Sequence, residues 1–410
     1  NSMILEIVIN GRIFYLIRKI KKNFKRREKM KKVFLTTIAL LSIVSASVFG
    51  MYGVNSGDWI QFLTHGNQFR ARMQQLGFTL GNDTIKGTFG FFNNGRGVYG
   101  SMLSQSTATG EAGTGLYYDF TPTISMGLAY TSSLISVGVG YNATIGPRLD
   151  RYNNKTEPKK VEAVVHTPVL VLNALDNALR IAIPIQVVNL TDKFDGVGKG
   201  SVTAVSLDAQ FRYFTGLDFL PQIRLLIKYG NYGMQLSPEG GQKEKVTFAE
   251  SFGFEFRLYF GAMVEEVALQ PYIKLVYNGA LGYTGETGVE AVKFMQAYND
   301  GTWASASYIA TPKWNLTLMP ALGLTANSDI VSLYLEPSLG LKIEQNGSDT
   351  DKKVKEVYSL GYAVYAEIYI TPLKNLEWYF EADVGGATAP AQPTVNLAAS
   401  TGITWYLPAL

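Results

Sequence analysis

The chain has 410 residues, with 37 Lys+Arg against 33 Asp+Glu, two histidines and no cysteine. The missing cysteine excludes disulfide stapling and thiol chemistry. The basicity is confined to the start: residues 1–50 carry 11 basic and 2 acidic residues, which leaves 26 and 31 and a net charge of −5 beyond residue 50 where the full chain reads +4, so no nucleic-acid partner is expected.

Residues 1–29 begin with Asn1 and read as untranslated upstream sequence. Arg26-Arg27-Glu28-Lys29 can be encoded by a purine-rich ribosome-binding tract ahead of a start at Met30; CGN codons at Arg26 and Arg27 would refute this. Met30-Lys31-Lys32, the apolar run Val33 to Val44 and the small residues after it form the pattern of an export signal over residues 30–50. Cleavage is open between Ala46, Ser47 and Gly50. The remainder, residues 51–410, contains no further apolar run long enough for a transmembrane helix and reads as one domain.

That domain opens on residues 57–76, where Trp59, Phe62, Leu63, Gly66, Phe69, Met73 and Leu76 recur every three or four positions. This spacing predicts an amphipathic helix broken near Gly66, with Arg70 and Arg72 turned to water. It could plug a channel or pack at a rim.

Period-two alternation dominates from there on. Phe252, Phe254, Phe256, Leu258 and Phe260 share one face of a strand, while Gly253, Glu255, Arg257 and Tyr259 share the other. The same pattern recurs over residues 134–145, 201–214, 356–370 and 376–386. Strands apolar on one side and charged on the other suit a wall between lipid and water, and a membrane accepts strands only as a closed barrel. A soluble barrel or sandwich would alternate too, with its apolar face packed as a core. The export signal and the number of strands favour the membrane version, so the expected fold is all-β: a transmembrane antiparallel β-barrel of about 16 strands with a short N-terminal helix. Predicted strands run over 84–92, 97–104, 113–120, 123–131, 134–145, 162–173, 178–190, 201–214, 220–230, 246–260, 266–278, 315–326, 330–344, 356–370, 376–386 and 394–406. Connections alternate between long (146–161, 191–200, 231–245, 279–314, 345–355) and short, as outer loops and periplasmic turns do. This parity requires that 304–311, although strand-like, does not span.

Chemical motifs are sparse. His65 and His166 have no partner at metal-ligand spacing. No nucleophile elbow, P-loop or dinucleotide fingerprint is present. Gly81-Asn82-Asp83 reads as a turn, and Glu265-Glu266 reads as solvated charge in a turn. The Gly138-Val139-Gly140 run reads as small residues on an inward face. What remains is charge on predicted inward faces. Arg180, Asp208, Arg212, Arg224, Lys228, Glu255, Arg257 and Lys274 fall on the middle strands. Glu336, Glu344, Glu367, Glu377, Glu381 and Asp383 fall on the late ones. Opposed arcs of charge across a water-filled lumen would orient polar solutes and tune selectivity; the bland alternative is a closed lumen cross-linked by salt bridges.

Three segments carry a resemblance: Asp58-Trp59-Ile60, Asn67-Gln68-Phe69-Arg70-Ala71-Arg72, and Gln75-Leu76-Gly77-Phe78 through Lys86-Gly87-Thr88-Phe89-Gly90. In these the chain resembles the variable surface proteins of intestinal spirochaetes (Brachyspira, formerly Serpulina). The resemblance implies an abundant surface antigen of the outer membrane, present in several related copies. It implies no enzymatic activity, no cofactor and no site residues to carry over. One departure from general barrel expectation is the end of the chain, where Trp405 and Tyr406 lie inside a Pro408-containing tail.

Two readings follow from the sequence: a surface-exposed outer-membrane barrel with porin-like diffusion of small polar solutes, or an adhesin or antigenic coat protein whose closed barrel is only an anchor. A soluble periplasmic β protein is a third. Expected partners are outer-membrane lipid and host or antibody molecules at the outer loops, with a homo-oligomer left open.

Overall fold

A computed structural model describes residues 52–72, 75–93, 106–110, 113–117, 122–153, 157–194, 198–237, 244–264, 267–282, 314–346, 355–388 and 395–407. The expected leader and upstream extension, the predicted strand at 97–104, the strand-like 304–311, Glu265-Glu266 and Pro408 lie outside these residues.

One helical turn, α1 (Ser56–Trp59), comes first, and the Asn55 side chain caps it by accepting from the Asp58 N–H. Four short strands of the wall follow: β1 (Gln68–Arg72), β2 (Gln75–Gly81), β3 (Ile85–Asn93) and, after a separate hairpin of β4 (Ser106–Gly110) and β5 (Gly113–Tyr117), β6 (Pro122–Tyr130). Taller strands make the rest of the wall: β7 (Ile135–Asn153), β8 (Glu157–Ala174), β9 (Leu179–Phe194), β10 (Gly198–Phe214), β11 (Gln222–Ser237) and β12 (Glu244–Tyr259). The circuit continues through β13 (Ala262–Val264), β14 (Val267–Gly282), β15 (Trp314–Asn327), β16 (Val331–Asn346), β17 (Lys355–Leu373), β18 (Leu376–Ala387) and β19 (Asn396–Leu407).

Every wall strand pairs antiparallel with its neighbours in the chain. β19 returns to β1, with Phe69 opposite Leu407 and Arg72 opposite Thr404, which closes the sheet. β12 and β13 form a single stave interrupted at Phe260 and Gly261, since Tyr259 pairs with Tyr272 and Ala262 with Leu269. Counted so, the barrel has 16 staves. Closure leaves no sheet edge along the paired run, and an even number of staves brings the start of β1 and the end of β19 to the same rim.

The barrel is inside-out relative to a soluble protein. Its outer face exposes Leu76, Phe89, Leu128, Val139, Leu170, Leu339, Val364 and Trp378, each at least a third accessible. Buried positions include Thr79, Thr88, Ser125, Asn142, Thr167, Asn173, Gln210 and Glu367. The alternation therefore sorts apolar side chains outward and polar ones inward, because successive side chains of a strand point to opposite faces.

Three expectations are corrected. Residues 57–76 are not a helix: helical geometry is confined to Ser56–Trp59, and Arg70 and Arg72 lie on stave β1 rather than on a plug helix. The apparent three-and-four spacing ran together a helical turn and two strands. Taken separately, Gln75, Gly77 and Thr79 alternate with Leu76, Phe78 and Leu80 at period two. Of the predicted stave at 113–120, the described part is β5, which pairs with β4 in a separate two-stranded sheet and not with the barrel wall. β3 pairs directly with β6, and β1 and β2, which the spacing assigns to a helix, are two of the sixteen staves. Finally, 146–161 and 231–245 are mostly not loops. Ladder pairing continues through Asp150 opposite Lys160 and through Gln235 opposite Lys245. Polar composition reports contact with water, and a hydrated ladder satisfies its backbone groups as well as a dry one. The direct pairing of β14 with β15 leaves no stave between them, so the turn parity holds.

Candidate functional site: the barrel lumen

Residues 52–65 fold back inside the wall and fill one side of it. The Trp59 ring lies against β6 and β7 where Gly127 and Gly140 have no side chain; a Cβ on Gly140 would sit 2.2 Å from that ring. Tyr52, Trp59, Ile60, Phe62 and Leu63 form a core with Ala129, Val169, Val171 and Ala182 of β6, β8 and β9. Polar ties fix the backbone of this plug. Trp59 Nε1 donates to the Gly53 carbonyl at 2.7 Å, and Asn142 Nδ2 donates to the same oxygen at 2.6 Å. Lys86 Nζ donates to the carbonyls of Leu63 and His65, and Arg180 Nη1 reaches Thr64 Oγ1 at 3.2 Å. The Ser56 N–H and hydroxyl both donate to Asp208 Oδ2 at 3.0 Å.

Two plug side chains are held away from their ordinary protonation behaviour. Burial pushes the Asp58 carboxyl up to about 7, against the opposing pull of the Gly53 N–H and the charges of Arg70 and Arg212. Burial, together with the nearby charges of Arg70, Lys86 and Arg180, drives the His65 imidazole down to about 3. That ring is neutral and hydrogen-bonded to the Tyr52 hydroxyl at 2.9 Å and to Gln61 Oε1 at 3.1 Å, so it serves packing. His166 sits on the outer side of β8 beside the Tyr141 hydroxyl at 2.5 Å.

The charged residues singled out in the sequence occupy inner-face positions on the staves from β9 to β18. Four adjacent pairings join five of the cations into one rank: Arg180 opposite Arg212, Arg212 opposite Arg224, Arg224 opposite Arg257, and Arg257 opposite Lys274. Asp208 lies opposite Lys228 further along the same staves. Glu255 pairs with Arg257 two residues away on β12.

Acidic residues occupy β16 to β18. Their carboxylates are met mainly by tyrosine hydroxyls: Glu336 by Tyr272 at 2.6 Å and by Tyr334, Glu367 by Tyr365, and Glu377 by Tyr406 at 3.3 Å. Arg72 adds an ion pair to Glu377 at 3.5 Å and lies 4.2 Å over the Tyr379 ring. Glu381 stands opposite Glu367 and accepts from Ser400 at 3.2 Å; Glu344 pairs with Lys342 at 2.6 Å; Asp383 lies exposed opposite Tyr365. The two charged arcs are neighbours rather than opposites. They are separated by the single stave β15, across whose Ala321 the Tyr272 side chain reaches Glu336.

The plug is what sequence reasoning located poorly. Its signal was the run of small or apolar residues on the inner face: Gly127, Ala129, Gly138, Gly140, Val169, Val171 and Ala182. Staves apolar on both faces need something apolar inside.

The family model for the Serpulina hyodysenteriae variable surface protein matches residues 31–406. No curated protein sequence matches the chain. Among solved structures the chain is similar to the translocator domain of the autotransporter NalP from Neisseria meningitidis, at 15% identity over 85% of this chain and 91% of that one, with a TM-score of 0.31. It is also similar to OmpT, an outer membrane protein of Vibrio cholerae, at 9% identity over 80% and 99%, TM-score 0.35. A third similarity is to the transport unit of the autotransporter AIDA-I from Escherichia coli, at 10% identity over 90% and 97%, TM-score 0.28. The family match covers nearly the whole barrel, and the chain belongs to the Serpulina hyodysenteriae variable surface protein family.

Proposed function

We propose that this chain is a surface-exposed outer-membrane barrel that lets small polar solutes diffuse through the part of the lumen its plug leaves unfilled, with no enzymatic role. The carrying observation is the inversion of the wall: large apolar side chains outside, charged and hydroxyl side chains inside. Such a surface is unfavourable in water and favourable in lipid. Stave length adds support. A span needs about 9–11 residues, whereas β7 and β17 run to 19 residues each, so the tall side of the wall continues well beyond a bilayer. Those extensions are where contacts with host molecules or antibodies would form, in keeping with the family's description as surface proteins.

The direct test is to refold residues 51–410 in detergent and record single-channel currents in a planar bilayer. Stepwise conductance supports diffusion. A folded, inserted and silent barrel sinks it and favours the rival in which the barrel only anchors an antigenic or adhesive surface. That rival draws on the plug itself, which closes much of one side of the lumen. As a check on the membrane assignment, Leu170→Arg on the outer face should lower the unfolding free energy in lipid by about 2–4 kcal/mol; an unchanged value would argue against lipid contact there.

A further inference from the structure

The rank of cations across β9, β10, β11, β12 and β14 has too little negative charge around it to stand alone. Residues directly opposite on antiparallel strands have Cβ atoms about 5 Å apart, and like charges there repel. The rank makes four such pairs in succession. Nearly all the groups that receive these guanidinium groups are neutral. Arg180 lies 4.7 Å over the Phe214 ring, Arg224 lies 5.1 Å over Tyr259 and Arg257 lies 5.5 Å over Tyr272. Arg212 donates through Nε to the Gln210 amide oxygen at 2.5 Å. Glu255, on Arg257, is the one carboxylate in ion-pair contact with the rank among the described residues. Arg212 is only 2% exposed, and neither its Nη1 nor the Nε of Arg224 has a protein partner. A buried donor left unmatched costs free energy that an acceptor would recover.

We infer that this rank is a binding site for small oxyanions of the phosphate or carboxylate type, and that it makes the lumen anion-selective. Guanidinium groups suit such anions because their planar fork matches two oxygens at once. The neighbouring acidic arc does not cancel the site. Of its carboxylates, Glu336 and Glu367 are met by tyrosine hydroxyls and Glu377 by Tyr406 and Arg72, and Tyr272 stands between Arg257 and Glu336. The selectivity rests on the diffusion reading, because solute must reach the rank through the lumen; the binding does not.

Two measurements on the refolded barrel separate the two ideas. The first is titration of inorganic phosphate by calorimetry in detergent, on the wild type and on Arg224→Gln/Lys274→Gln. The second is the reversal potential in a potassium chloride gradient, with and without phosphate. Retained heat-modifiable mobility on a gel confirms that the variant is folded. Wild-type binding that weakens at least tenfold in the variant, with preference for chloride over potassium falling several-fold, supports the site. Phosphate binding lost in the variant of a silent barrel also supports the site, while removing the diffusion reading. A conducting barrel that binds no phosphate, or whose selectivity is unmoved by the double substitution, overturns the inference and leaves diffusion standing. Should the double variant fail to fold, Lys274→Gln alone gives the same readouts at smaller amplitude.

Discussion

The staves β6 to β9 and the staves β10 to β18 build their inner faces from different chemistry. On the first set small and apolar residues such as Gly127, Ala129, Gly140, Val169, Val171 and Ala182 stand among buried polar ones such as Ser125, Asn142 and Thr167, and the chain packs its own residues 52–65 against them. On the second set the inner face is charged and tyrosine-rich, and its side chains satisfy one another along and across neighbouring staves. The outer face shows no such division: Leu128 and Val139 on one side and Leu339, Val364 and Trp378 on the other are all exposed. Outer-face chemistry is thus uniform around the barrel, and inner-face chemistry differs with whether residues 52–65 cover it. The wall heights differ as well, with β1 and β2 five and seven residues long against 19 for β17.

Removing the filling should produce the largest effect. Trp59 is fully buried, its ring tilted against Tyr52 at 5.0 Å and edge-on to Phe62 at 5.5 Å. Trp59→Ala is expected to cost about 3–5 kcal/mol of stability and to raise conductance if a pore exists, since the plug loses its seat against Gly127 and Gly140. Unfolding in urea with tryptophan-independent detection, by circular dichroism, checks the first; bilayer recording checks the second. A change within 0.5 kcal/mol, roughly what a neutral surface substitution gives, would mean that the plug does not hold this side together.

A somewhat smaller effect separates the sides by pH. The folded Asp58 carboxyl titrates near 7, above its unfolded value, so the folded state binds the extra proton between the two. Its contribution is full below about pH 4 and is lost as pH rises through about 7, which at ~1.4 kcal/mol per unit amounts to a few kcal/mol. Asp58→Asn should flatten that part of the stability–pH curve. An identical pH profile in the variant would place the titration elsewhere.

How much of this was legible beforehand differs by element. The staves of the charged side were legible because their inner faces are polar and their outer faces apolar, as in Glu377, Tyr379 and Glu381 against Trp378 and Phe380 of β18. β1 and β2 were not, because five and seven residues give too few alternations to outweigh a helix-like spacing that runs through Trp59, Phe62 and Phe69. The inward positions of the cations followed from parity alone. Their alignment into one rank did not, because register depends on turn geometry such as that at 215–221 between β10 and β11, and a one-residue slip of a stave would break the pairs it makes. In the turn after β8, Leu175, Asp176 and Asn177 all take positive φ, a conformation no sequence rule would have assigned to leucine.

The smallest expected effect uses one geometry that occurs on two arcs. Glu255–Arg257 and Lys342–Glu344 are both pairs two residues apart on one inner face. Lys342 and Glu344 are each about a third exposed, at 34% and 37%, and water screens the pair. Their coupling in a double-mutant cycle with Gln should be about 0.5 kcal/mol or less, and Lys342→Gln should leave any phosphate response intact. Glu255 and Arg257 are less exposed, at 16% and 23%, and Arg257 lies between Arg224 and Lys274 in the rank. Glu255→Gln removes the one carboxylate paired to that rank, so it should disturb folding more than Glu344→Gln does and should tighten phosphate binding. Equal coupling on the two arcs, with phosphate binding unmoved by Glu255→Gln, would mean that the rank's charge is already balanced by solvent and that the two inner faces differ in shape alone.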